Sequence, residues 1–72
     1  MTGFLHNIWA RIEEVGQISV DPETHRAESI VFDTPQMATE FVSVCYRDDI
    51  WENPLRAEVE QQEHVVRLIW PE

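Results

Sequence analysis

Cys45 is the only thiol in a chain of 72 residues, so it is the first side chain to weigh as a nucleophile. A working cysteine needs a neighbouring base and an electropositive setting that lowers its pKa. Cys45 instead closes an apolar stripe and is followed by Tyr46, Arg47, Asp48 and Asp49. Acidic surroundings hold a thiol protonated, and core packing is the expected role. The three histidines, His6, His25 and His64, are widely separated and form no close ligand pair of the kind that marks a zinc site. The run Asp48-Asp49-Ile50-Trp51-Glu52-Asn53 is rich in oxygen ligands but lacks the alternating spacing and glycine of a calcium loop. Gly3 and Gly16 are the only glycines, which excludes a glycine-rich phosphate cradle. Carboxylate pairs such as Glu58 and Glu60 arise by chance among 14 acids, and nothing around them suggests a desolvated cleft for acid–base work. No enzyme, no metal and no cofactor is expected.

What stands out is a surface. Asp48, Asp49, Glu52, Glu58, Glu60 and Glu63 place six carboxylates within residues 48–63. Trp51 sits among them, and a tryptophan in a charged loop is either a lid folded onto the core or an anchor for a partner. Tyr46 and Trp70 raise the same question. Asp48, Asp49, Trp51, Glu52, Glu58 and Glu60 are therefore the expected partner-binding residues, with Trp51 as apolar anchor.

The charge balance says what kind of partner. Fourteen acidic residues face five basic ones, all arginine, for a formal net charge of −9. The arginines are scattered at positions 11, 26, 47, 56 and 67. A nucleic-acid binder needs a basic stripe to displace phosphate counterions, and an anionic membrane asks for the same. Both are disfavoured. A basic protein surface is favoured, since complementary fields steer association. The same charge also serves solubility without any partner.

The elements that must position these residues follow from periodicity. Phe4, Leu5, Ile8, Trp9, Ile12 and Val15 make a helical stripe over residues 3–15, with Thr2 as N-cap and Gly16 as C′ residue. Its aromatic and β-branched content leaves a strand as the alternative there. Residues 17–20 and 27–32 read as a hairpin around Asp21-Pro22-Glu23-Thr24. Asp33-Thr34-Pro35 opens a second helix with Met37, Ala38, Phe41, Val42 and Cys45 inward, fading near residues 46–48. Residues 49–54 read as a loop, 55–61 as an alternating strand, Gln62-Glu63 as a turn and 64–70 as the last strand. One domain of α+β class is expected, a two-layer fold with a four-stranded, mostly antiparallel sheet and two helices in the order α-β-β-α-β-β, or β-β-β-α-β-β if the first segment is a strand. Val65, Ile69 and their neighbours make the last strand apolar on both faces, more than two layers easily cover.

Two function classes follow. The leading one is a small acidic protein-binding module, an inhibitor or adaptor that docks on the basic surface of a nucleic-acid-binding protein or complex, its carboxylates standing where phosphates would. Phage-encoded inhibitors of nucleic-acid machinery, anti-CRISPR proteins among them, are often this small and acidic. That analogy rests on size and charge and on no particular residue. The alternative is a homo-oligomeric structural or accessory subunit without catalytic activity, a homodimer being the simplest form. With no apolar run of membrane-span length and no basic segment ahead of one, the expected compartment is the cytoplasm of a bacterial host cell.

Overall fold

A computed structural model describes residues 6–72. Its elements are α1 (Ile8–Val15), β1 (Gly16–Val20), β2 (Ala27–Phe32), α2 (Pro35–Val44), β3 (Glu58–Gln62) and β4 (Val65–Ile69). The sheet order is β1-β2-β4-β3 and every neighbouring pair is antiparallel. The order of elements is the helix-first order expected from the sequence.

Each helix starts where a side chain satisfies its free N–H groups. Asn7 caps α1, its Oδ1 accepting from the N–H of Trp9 at 2.9 Å. Thr34 caps α2, its Oγ1 accepting from the N–H of Met37 at 3.2 Å, and Pro35 occupies the first turn. The helix expected from residue 3 therefore begins only at Ile8. His6 makes a parallel bridge with Trp51 instead, its N–H donating to Ile50 and its carbonyl accepting from Glu52. The Thr2 cap and the first apolar positions of that helix lie outside the described residues.

Gly16 is not a left-handed C′ residue. Its backbone is extended, at φ −153° and ψ −178°, and it opens β1 directly. The glycine is needed for closeness: a Cβ there would lie 2.9 Å from the carbonyl oxygen of Val31 and 3.0 Å from Cγ2 of Ile30. Positive φ is found instead at His25 and Glu63, in the two hairpin turns. The second turn is Glu63-His64, one residue later than expected, since Gln62 pairs with Val65. The strand expected from Leu55 begins only at Glu58. Ahead of it the chain is held by other contacts: Leu55 N–H donates to Cys45, and the Ala57 carbonyl accepts from the Tyr46 hydroxyl.

The core gathers both helices on one face of the sheet. Ile8 and Ile12 of α1, with Ala38 and Phe41 of α2 and Cys45 beyond it, meet Ile30, Phe32, Val66 and Leu68 of the two central strands. Phe32 and Phe41 pack with ring centroids 5.3 Å apart. Among the described residues no polar side chain is buried. Among the described residues no helix packs on the other sheet face: Val31 and Val65 are half-buried there, and Ile69 is 40% exposed. Among the described residues no helix is long and apolar enough to cross a membrane.

Candidate acidic docking surface

The site is built around the point where α2 ends. Arg47 N–H donates to the Val44 carbonyl and Trp51 N–H to that of Arg47, so the chain turns tightly after the helix. This turn carries Asp48 and Asp49 outward and swings Trp51 inward. The expectation of Trp51 as an exposed anchor is corrected here. Trp51 is only 6% exposed and belongs to the core. Its indole N–H donates to the Val44 carbonyl at 2.8 Å, a second bond on the oxygen that Arg47 N–H also reaches at the end of α2. Its ring also meets the edge of His6. An indole contributes too much apolar area, and has too good a hydrogen-bond acceptor nearby, to be left in water.

Tyr46 takes the exposed position instead. It is 51% exposed, and its hydroxyl donates to the Ala57 carbonyl at 2.6 Å. The ring thus bridges the end of α2 to the segment entering β3. Partial burial pushes the Tyr46 phenol above its ordinary pKa, and the neighbouring Cys45 and Glu58 add to the effect. The hydroxyl's bond to the Ala57 carbonyl places the entry of β3 beside Tyr46. On its other side the chain runs straight into Asp48 and Asp49.

The carboxylates are not equivalent. Arg47 grips Asp49 with both its Nε and a terminal nitrogen, the Nε contact at 2.9 Å, and this hydrogen bonding holds the Asp49 carboxyl below its usual range. Much of the Asp49 charge is therefore answered within the loop. Glu60 stands across from Arg67 on the open sheet face at 3.6 Å, a separation that gives attraction without a hydrogen bond. Asp48, Glu52 and Glu58 are exposed and have no ion-pair partner among the described residues. The expected patch thus divides: Asp48, Glu52 and Glu58 carry open charge, while Asp49 and Glu60 are each shared with an arginine.

Other arginines are also engaged. Arg11 pairs with Glu14 at 3.0 Å, and Arg26 lies 5.7 Å above the ring of Trp70. Trp70 is half-buried, stacked on Trp9 with its indole N–H on the Ala27 carbonyl at 2.6 Å, so it braces the fold. Gln61 anchors β3 to α2, its amide donating to Thr39 Oγ1 at 2.9 Å. That contact fixes the face of β3 from which Glu58 and Glu60 project.

Cys45 is fully buried, and burial pushes its thiol up from the ordinary value. A cleft of about 250 Å³ between α1 and α2 is lined mainly by Ile12, Phe32, Met37, Phe41 and Trp51, with Arg11 and Glu40 also at it. Among the described residues no three His, Cys, Asp or Glu side chains are placed to hold a metal. The role of Tyr46 as the exposed aromatic had a weak sequence signal: it falls just past the inward stripe of α2, where the helix ends. Compared with protein families, with curated proteins and with solved structures, the chain matches none.

Proposed function

We propose that this protein is a small acidic binding module, an inhibitor or adaptor that docks on the basic surface of a nucleic-acid-binding protein or complex. The observation that carries this reading is the half-exposed Tyr46 ring, tied by its hydroxyl to Ala57 next to Glu58 and followed two residues on by Asp48, two exposed carboxylates with no arginine paired to them. An amphipathic ring ringed by open charge suits an interface with a basic partner: the ring supplies area at small entropic cost, and the charges supply steering and register. Exposed carboxylates carried on a turn and on an edge strand could stand where a basic groove ordinarily takes phosphates. The test is capture with the immobilised protein at low and high salt, followed by elution with duplex DNA or RNA. The reading expects a nucleic-acid-binding partner that is lost as salt rises, because screening shortens to about 8 Å at physiological ionic strength, and that nucleic acid displaces competitively. A partner that stays bound in the presence of saturating nucleic acid overturns the mimicry.

A second reading, a homo-oligomeric accessory subunit, is favoured by Ile69, 40% exposed on a sheet face that no helix covers. A solution mass that falls to the monomer on Ile69→Asp supports it. A monomeric wild-type protein contradicts it.

A further inference from the structure

The two edges of the sheet differ. β3, at one edge, has the sequence Glu58-Val59-Glu60-Gln61-Gln62, and its glutamates discourage another strand from pairing there. β1, at the other edge, is Gly16-Gln17-Ile18-Ser19-Val20, without a charge, a proline or a covering ion pair. In a chain with net charge −9, an uncharged edge strand is the segment a like-charged copy can approach most closely.

The hydrogen-bonding pattern shows what that edge offers. Phe32 N–H donates to the His64 carbonyl beside β4 at 2.8 Å. Phe32 and Ile30 therefore point their peptide groups toward β4, and Val31 and Ser29 point theirs toward β1. Gln17 and Ser19 lie opposite Val31 and Ser29, so their peptide groups face β2. Asp21 N–H donates to the Arg26 carbonyl, which keeps the same alternation past the register shift at Ser19/Val20. The N–H and C=O groups of Ile18 and Val20 are thereby left on the outer edge, where no strand pairs among the described residues. Val20 is also 53% exposed.

We propose that β1 pairs antiparallel with β1 of a second copy of this chain, about a two-fold axis through Ser19. Ile18 of each copy then exchanges both peptide hydrogen bonds with Val20 of the other, and the two sheets become one. An isologous edge is self-complementary by symmetry. Val20 covers its exposed side chain against Ile18 of the second copy. The corresponding pairing through β3 would set Glu58 and Glu60 against the same residues of the other copy. This edge is a different surface from the Ile69 face and owes nothing to the acidic docking reading. The two also respond oppositely to salt: docking on a basic partner weakens, whereas pairing of two copies of charge −9 tightens as their repulsion is screened.

The direct test is a single cysteine on the axis. Ser19 would face Ser19 of the second copy as a non-hydrogen-bonded pair, with Cα atoms about 4.5 Å apart, within reach of a disulfide. Ser19→Cys should form a covalent dimer under mild oxidation at least ~10-fold faster than Glu60→Cys on the opposite edge, because pairing raises the effective thiol concentration. Cys45 is buried and contributes no background. Sedimentation of the otherwise unaltered protein should show dimer increasing with salt, and Val20→Glu, at an exposed position, should return it to monomer. Equal cross-linking at positions 19 and 60, or a monomer at every salt concentration, would overturn the proposal. A dimer that Ile69→Asp abolishes and Val20→Glu leaves intact would overturn it too.

Discussion

The hydroxyl of Tyr46 donates to the carbonyl of Ala57 at 2.6 Å, across eleven residues of chain. This contact ties the end of α2 to the entry of β3 and fixes the half-exposed aromatic ring at their junction. Tyr46 is the only tyrosine, so its titration can be followed by tyrosinate absorbance without interference from another phenol. Its midpoint should lie above the ordinary value of 10.0, because partial burial, with Cys45 and Glu58 nearby, disfavours the anion. A folded-state pKa raised in this way gives stability that is fully present below the unfolded pKa and is lost as pH rises through the folded one. Tyr46→Phe should remove the Tyr46 part of this alkaline loss and cost about 1 kcal/mol at neutral pH, read by denaturant unfolding at both pH values.

Trp51 should behave as a core residue. Trp51→Ala is expected to cost about 3–5 kcal/mol, a large part of the stability of a domain this size, and to unfold much of the population. Trp51→Phe keeps most of the area and loses the bond to the Val44 carbonyl, so it should cost less, about 1–2 kcal/mol. Chemical denaturation measures both. A Trp51→Ala protein as stable as the wild type would mean that the side chain is not packed as described.

Gly16→Ala should destabilise by about 1–3 kcal/mol, although alanine adopts the same extended backbone readily. The added methyl meets the Val31 carbonyl, a backbone atom that cannot swing aside. Thermal unfolding of this one variant decides whether closeness is what the position demands.

Glu63 has φ 55° in the β3–β4 turn, a conformation that disfavours any residue with a Cβ. Glu63→Gly should raise stability by roughly 0.5–1 kcal/mol. Glu63→Ala removes the same charge but keeps the strain, so a gain from both variants would point to charge in place of backbone conformation.

Much of this fold was legible because its local signals agree. The stripe Met37, Ala38, Phe41, Val42 and Cys45 matches the helix period, and Thr34-Pro35 marks its start; α2 begins there, and Ala38, Phe41 and Cys45 just past its end are buried with Met37 and Val42 packed against them. The inward alternation of Val66 and Leu68 likewise holds in β4. What misled were residues whose role is set by distant chain. Phe4 and Leu5 extend the apolar stripe of α1 backwards, but Asn7 caps the helix and His6 joins Trp51, a partner 45 residues away. Gly16 follows a helix as a C′ glycine does, yet its smallness serves Val31 on the neighbouring strand. The site was partly legible for the same reason. Carboxylates on a turn are exposed wherever the chain goes, so Asp48 and Glu52 were readable. The choice between Trp51 and Tyr46 as the outward aromatic depended on which one reached the Val44 carbonyl at the end of α2, and periodicity does not carry that information. Arg47 and Arg67 take up Asp49 and Glu60 by a turn and by strand pairing, which residue spacing alone leaves open.

The most direct test of the docking surface is charge reversal at the open carboxylates. Asp48, Glu52 and Glu58 replaced together by lysine should leave the folded state within about 0.5 kcal/mol per site, since all three are exposed and have no ion-pair partner among the described residues. Partner affinity, measured by titration calorimetry against the protein recovered by capture, should fall by at least ~100-fold, the loss of roughly 3 kcal/mol expected when attractions at an interface become repulsions. A matched reversal of Glu13, Glu23 and Glu28, which changes the net charge equally but lies elsewhere, should reduce it far less. Equal losses from the two triple variants would contradict a localised surface, and full affinity after reversal of Asp48, Glu52 and Glu58 would remove these residues from the interface.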